Sequence, residues 1–341
     1  MIYDVNFNLN NILAKATPTK HLNNITMKLP NAKDIDAAYK RIRSFVHQTP
    51  VLSSESINTI TGAQLFFKCE NLQKVGAFKF RGASNAVLSL TEEQRLKGVA
   101  THSSGNHAAA LALAARQNSI PAYIVMPDNA PAIKKKAVAG YGAHITFCKP
   151  TLADREATLQ KVIEQTGATL VHPYNQFEVI CGQGTASLEL TEQIHDLDII
   201  MTPVGGGGLV SGTLTYIKER FPQIEVIAGE PKGADDAYQS WKQGHFIPCT
   251  HPETIADGLR TSLGSLTYEI IRSKIDDIYT VKEESIVNAM RLVWERMKII
   301  IEPSSAVPLA AVMENLEHFK GKKVGIILSG GNIDLGHLPF E

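Results

Sequence analysis

Residues 198–221, DIIMTPVGGGGLVSGTLTYIKERF, read as an apolar strand that ends in four consecutive glycines and passes directly into an amphipathic helix. Parallel sheets with helices on their faces are assembled from such strand–loop–helix units. Successive glycines let another group approach the backbone closely and aim several N–H groups at one anion. Gly205, Gly206, Gly207 and Gly208, with Leu209, therefore form a candidate phosphate cup. No Lys-Ser/Thr pair follows, so this is not a Walker loop, and Ser211 stands where GxGxxG requires its third glycine. Glu230 ends the next strand at the distance of a ribose-binding acid. A nicotinamide-dinucleotide (NAD) oxidoreductase thus stays open as a second reading.

Outward from this unit, further β-branched runs read as strands: QLFFKC, GVATHS, AYIVMP, HITFC, DIIMTP, EVIAGE and VGIILS. Helical spacing marks AKDIDAAYKRIRSFV, HAAALALAARQ, PAIKKKAVAGY and LADREATLQKVIEQ, with glycines or prolines at their ends. The alternation predicts an α/β fold with largely parallel sheets. Ligands in such folds sit beyond the carboxyl ends of the strands.

Two more strands end in small polar loops. One runs into Ser103-Ser104-Gly105-Asn106-His107 at a helix start, where backbone N–H groups suit a carboxylate; a plain helix cap is the competing explanation. The other reaches Ser329-Gly330-Gly331-Asn332, where a hydroxyl and permissive backbone suit a flat heteroaromatic ring, or merely a turn. Upstream, Gly76-Ala77-Phe78-Lys79-Phe80-Arg81-Gly82-Ala83 places a lysine between two phenylalanines and near an arginine. A desolvated amine beside another cation has a depressed pKa and becomes nucleophilic toward carbonyls.

Composition narrows the classes. The 341 residues carry 34 Lys and Arg against 34 Asp and Glu, so no net basic field steers the chain onto nucleic acid or anionic lipid. Hydrophobic residues at 44% and charged residues at 20% are ordinary for a soluble protein large enough for two domains. Cys69, Cys148, Cys181 and Cys249 show no metal-ligand spacing, which fits reduced thiols in a cytoplasm. Residues 1–26 lack a signal-peptide pattern and read as a poorly ordered extension, with Met27 as an alternative start.

Taken in order, GAFKFRGA, HSSGNHA, GGGGL and SGGN make the stretch from about Ala32 to Leu335 closely similar to the serine racemase and serine/threonine dehydratase family of fold-type II pyridoxal 5′-phosphate (PLP) enzymes. The resemblance implies a tryptophan synthase β-like fold of two α/β domains with the cofactor in the cleft between them. The expected division is a large domain at 27–97 and 175–341 and a small mobile domain at 98–174. The resemblance also implies that Lys79 carries the cofactor, that Ser104 is the acid/base group on the opposite face, and that Phe78 and Asn106 contact the cofactor, Asn106 at its 3′-oxygen. Gly205, Gly206, Gly207, Gly208 and Leu209 become the phosphate cup. Ser329 becomes the hydroxyl partner of the ring nitrogen, and Ser103, Ser104, Gly105, Asn106 and His107 the grip on an amino-acid substrate.

GEPKGADDAYQS resembles the family's divalent-cation site, with Glu230, the Ala234 carbonyl and Asp236 as ligands. Oxygen donors suit Mg²⁺, or Ca²⁺ or Mn²⁺. A homodimer is implied as well. Ala77 replaces a serine common in the family, Tyr174 stands where animal serine racemases have an asparagine, and Ser53-Ser54-Glu55 with Lys74-Val75 only partly match their nucleotide-binding pattern. These departures favour an ammonia-lyase of serine, threonine or 3-hydroxyaspartate over an ATP-regulated racemase. Arg155 matches a position near the substrate and suits a second carboxylate.

Overall fold

The computed structural model describes residues 28–130 and 132–340; the N-terminal extension and Met27 lie outside them. Among the described residues ten strands form two sheets. β1 (Val51–Leu52), β2 (Gln64–Cys69), β7 (Ile199–Pro203), β8 (Glu225–Pro231), β9 (Asp277–Val281) and β10 (Lys323–Leu328) make one, in the order β1-β2-β10-β7-β8-β9. β3 (Val99–His102), β4 (Ala122–Pro127), β5 (His144–Cys148) and β6 (Thr169–Leu170) make the other, in the order β5-β4-β3-β6. All pairings are parallel except β1 with β2. β7 is buried at every position and β10 at all but its first, as expected where helices cover both faces of a sheet.

Three of these strands have no counterpart in the sequence reading. β1 and β6 are two-residue pairings. β9, DIYTV, pairs only with β8 at the sheet edge and buries only Ile278 and Val281, so it lacks the continuous apolar run of the inner strands. Among the described residues no helix is long and apolar enough to cross a membrane.

The helix Lys79–Leu88 follows the GAFK turn and packs on Phe177–Gln193, a helix with thirteen buried residues. Their backbones touch. A Cβ on Gly182 would lie 2.6 Å from the Gly82 Cα, and one on Gly82 would lie 2.3 Å from the Gln183 side-chain nitrogen. The same seam holds a buried charge network. Arg81 donates to Glu70 at 2.7 and 2.8 Å and to Glu189 at 2.9 and 2.6 Å. Lys68 donates to Glu189, Thr49 O and Gln193 at 2.7, 2.7 and 2.8 Å. Burial alone would raise the Glu70 carboxyl, but the Arg81 charge and hydrogen bonds outweigh it and hold the group below its usual range.

Removing one member of a compensated buried network strands the others. Glu189→Ala is expected to lower the unfolding free energy by about 3–5 kcal/mol, read from urea denaturation. A loss below about 1 kcal/mol, the scale of an exposed pair, would contradict this description of the seam.

Candidate active site

A cavity of about 610 Å³ opens where the carboxyl ends of strands from both sheets converge, and the three polar loops and the GAFK turn all line it. Phe78, Lys79, Ser103, Ser104, Gly105, Asn106, His107, Gly205, Gly206, Gly207, Gly208, Leu209 and Ser329 border this space. Segments separated by up to about 250 positions thus meet in one pocket. Glu230, Ala234 and Asp236 lie outside its wall.

Lys79 begins its helix, and its Nζ donates to Pro173 O at 2.9 Å. The amine lies 5.0 Å from the centroid of the Phe78 ring and 6.0 Å from that of Tyr174. Burial pulls its pKa down to about 8, against the opposing pull of the Glu302 charge. At that value roughly one-tenth of the amine is neutral at pH 7, against well under one in a thousand for an ordinary lysine. The cause differs in part from the sequence expectation. Arg81 is tied to Glu70 and Glu189 inside the core and adds no repulsion at Lys79, while Phe80 is fully buried in the apolar core. Desolvation lowers the pKa.

The Pro173 carbonyl is itself held in place. His172 Nδ1 accepts from the backbone N–H groups of Tyr174 at 3.3 Å and Asn175 at 2.9 Å, pinning the turn that carries Pro173. Burial drives His172 down to about 3, so the ring stays neutral and keeps that lone pair available.

The glycine loop between β7 and the helix Gly208–Arg220 has no room for side chains. A Cβ at Gly206 would lie 2.3 Å from the Tyr174 ring, and one at Gly205 would lie 2.8 Å from the Leu259 backbone. Gly207 has φ +85°, the left-handed region that L-residues rarely adopt. The backbone is thereby left bare at a helix N-terminus beside the cavity, the arrangement that binds phosphate. Tyr174 braces it, with its hydroxyl 3.0 Å from the Thr261 hydroxyl.

On the SSGNH loop, Ser104 is partly exposed to the cavity, and Ser103 Oγ accepts from the Gly105 N–H at 3.3 Å. His107 borders the cavity, but its Nε2 is 3.0 Å from Val171 O, which commits that edge of the ring to the end of β6. Asn106 Nδ2 lies 3.0 and 3.1 Å from the two carboxylate oxygens of Glu302. Glu302 is a residue the sequence reading does not single out. It caps the buried helix Pro303–Glu314 and lies 196 positions from Asn106. Burial raises it to about 7, helped by the Asp257 charge and opposed by hydrogen bonds from Asn106 and the Asn332 N–H.

Glu230 is fully buried and accepts from the backbone N–H groups of Ala237 at 2.9 Å and Tyr238 at 2.8 Å. Both oxygens accept at the start of the helix Asp236–Gln243, and the acid is buried away from the cavity, so the NAD reading loses its anchor. Asp236 has one buried oxygen, Oδ1, without a partner, while Oδ2 accepts from Leu263 N at 3.3 Å. Burial raises both carboxyls, Asp236 to about 7. Among the described residues no group of three His, Cys, Asp or Glu side chains is placed to hold a metal ion.

An enclosed amine of lowered pKa, a bare glycine loop at a helix start and the Ser329 hydroxyl form a donor set that fits a ring bearing an aldehyde, a phosphate and a nitrogen. Comparison with known proteins agrees. The family described as "Pyridoxal-phosphate dependent enzyme" matches residues 42–330. The beta-hydroxyaspartate dehydratase of Paracoccus denitrificans (strain Pd 1222) is 50% identical over 315 residues, covering 92% of this chain and 100% of its own length. The serine racemase of Dictyostelium discoideum is 54% identical over 312 residues, 90% of this chain and 96% of its own. Its crystal structure superposes with a TM-score of 0.86, covering 89% of this chain and 99% of that one. The T.th. threonine deaminase gives a TM-score of 0.86 at 40% identity, with 90% and 99% covered.

Gly206→Ala places a methyl group inside the Tyr174 ring and forces the cup apart. Affinity for added PLP, titrated by visible absorbance, is expected to fall at least about tenfold, because phosphate binding depends on the amides keeping their aim. Unchanged affinity would show that the loop does not hold the phosphate.

Proposed function

The chain belongs to the pyridoxal-phosphate dependent enzyme family, and on that premise we propose that it is an ammonia-lyase of small β-hydroxy amino acids, releasing a 2-oxo acid and ammonia, with serine racemisation as a companion activity. The enclosed Lys79 amine sharing one cavity with Ser104 and the glycine loop is the observation that carries this reading. Lys79 would attach the cofactor, Gly205 to Leu209 would bind its phosphate, the Ser329 hydroxyl would pair with its ring nitrogen, and Phe78 and Asn106 would contact it. When bound, PLP supplies the electron sink for the charge left at Cα.

The protein groups do the rest. The backbone and side chains of Ser103 to His107 hold the substrate carboxylate. Lys79, freed from attachment, takes the Cα proton at Nζ, and its lowered pKa makes it a base near neutrality. Ser104 returns a proton to the other face of Cα when racemisation occurs, so one cavity serves both outcomes. If that return outpaces loss of the β-hydroxyl, serine racemase becomes the main activity.

A second reading, threo-3-hydroxyaspartate ammonia-lyase, is favoured by Arg155, which lines the cavity and brings a cation suited to a second carboxylate. The beta-hydroxyaspartate dehydratase relative is consistent with it. The division into domains at 27–97 plus 175–341 and 98–174 is part of the proposal; the location of β3 to β6 in their own sheet supports it. So is a Mg²⁺, Ca²⁺ or Mn²⁺ ion at Asp236, the Ala234 carbonyl and Glu230, supported by the unpartnered Asp236 Oδ1 and two buried carboxyls with raised pKa values. Four unpaired cysteines support a reducing, cytoplasmic setting. A homodimer is proposed as well. Exposed Leu72 and Ile300 support it; the neighbour of Leu72, Asn71, donates from Nδ2 to Ile300 O at 3.0 Å.

Two measurements test the reading. Purified protein supplied with PLP and Mg²⁺ is expected to show a visible cofactor band and to release 2-oxo acid from L-serine, L-threonine or L-threo-3-hydroxyaspartate; no band and no oxo acid from any of them would refute it. Lys79→Ala should lose both signals, whereas Ser104→Ala should keep the band and lose D/L-serine interconversion by at least about a hundredfold, within the range for a general acid/base group. Unchanged interconversion in Ser104→Ala would remove Ser104 from its role.

A further inference from the structure

Asn106, Glu302 and Asn332 close a triangle of hydrogen bonds at the wall of the cavity. Asn106 Nδ2 donates to Glu302 Oε1 and Oε2 at 3.0 and 3.1 Å. Asn332 Nδ2 donates to Asn106 Oδ1 at 2.9 Å, and the Asn332 backbone N–H donates to Glu302 Oε2 at 3.1 Å. The three corners come from the first residue of the helix Asn106–Gln117 after β3, the residue before the helix Pro303–Glu314, and the loop after β10. The triangle therefore ties a helix start beside the second sheet to two segments packed on the first.

With Glu302 ionised, the chemistry of the corners permits one arrangement. A carboxylate accepts and does not donate, so the Asn106 side facing Glu302 must be its amide nitrogen. Asn332 Nδ2 spends its two hydrogens on Asn106 Oδ1 and on Val75 O, the latter at 2.7 Å, so it in turn requires the carbonyl side of Asn106. The near-equal distances to the two Glu302 oxygens fit one shared Asn106 hydrogen, and because Asn106 borders the cavity its second hydrogen is available to an acceptor there. Without these neighbours, the two flips of the carboxamide would differ little in energy.

We propose that Glu302 is a positioning residue: with Asn332 it locks the Asn106 carboxamide in the flip that presents an N–H, not a carbonyl, to the bound cofactor. The inference rests on the reading of this cavity as a PLP site and assigns a further residue to it. Glu302 borders the cavity and its charge is felt at Lys79, but the positioning role is exerted through Asn106. Its surroundings suit the task. The carboxylate is buried, and Gly330 gives it room, since a Cβ there would lie only 2.7 Å from Oε1. Asp257, Lys134 and Lys79 are the charged groups that influence or feel it.

Glu302→Gln keeps the shape but presents an amide that donates as readily as it accepts, which removes the lock. The holoenzyme variant is expected to retain its cofactor and melting temperature, to show a displaced visible band, and to lose about tenfold or more in kcat with KM for L-serine changed by less than about threefold. Asn332→Ala, at an exposed position, should move the band in the same direction with a smaller loss of kcat. A Glu302→Gln enzyme with the wild-type band and kcat, or a loss carried wholly by KM, overturns the inference. Should Glu302→Gln fail to fold, an unaltered band and kcat in Asn332→Ala overturn it equally. A wild-type protein with no cofactor band would remove the PLP reading itself, an outcome separate from any difference between variants.

Discussion

Everything at the active end of this molecule depends on where Arg81 is anchored. Two residues past Lys79, its guanidinium is held between Glu70 and Glu189 inside the protein, and Lys68 completes the charge balance from the other side of Glu189. Glu70 follows β2 and Glu189 belongs to the helix Phe177–Gln193, so the network fixes the start of the Lys79 helix against both the sheet and its neighbouring helix. Bidentate pairing fixes the direction of a helix as well as its distance, which a purely apolar contact does less well. The Gly82–Gly182 contact removes the remaining freedom by bringing the two backbones together. Lys79 is thus a side chain on a rigid mount, with its amine delivered to the Pro173 carbonyl.

The cavity combines this fixed amine with groups whose charged forms burial disfavours. Lys79 is pulled down toward neutrality, Glu302 is raised into the same range, and His107 and His172 are driven down to about 3. A site of low effective dielectric strengthens every interaction with charge that develops during reaction. It also explains why the lysine needs no neighbouring cation. Desolvation alone brings the amine close to working pH, and the Glu302 charge opposes it.

Much of the site is legible in the sequence because glycine-rich loops after apolar strands are short-range signals, and all three such loops border the cavity. The inner strands are legible for the same reason: β7 and β10 are largely apolar runs, buried throughout except at Lys323. What escapes is what depends on distance along the chain. Glu302 looks like an ordinary helix cap until the fold brings it to Asn106, and nothing near IEPSSA announces that partner. Arg81 misleads in the opposite sense, since its closeness in sequence to Lys79 suggests repulsion while the core neutralises it with two glutamates. The acid at Glu230 shows the same ambiguity, a ribose ligand by spacing and a helix cap by hydrogen bonding. β9 is missed because an edge strand with two buried residues carries little pattern.

The central claim is that Lys79, out of all the lysines in the chain, is the point of covalent cofactor attachment. Reducing the PLP-loaded protein with borohydride and mapping the modified peptide by mass spectrometry tests it directly. One reduced pyridoxyl group per chain is expected, on Lys79 within GAFKFRGA. Attachment at another lysine, or no attachment in a protein that retains its cofactor band, would contradict it.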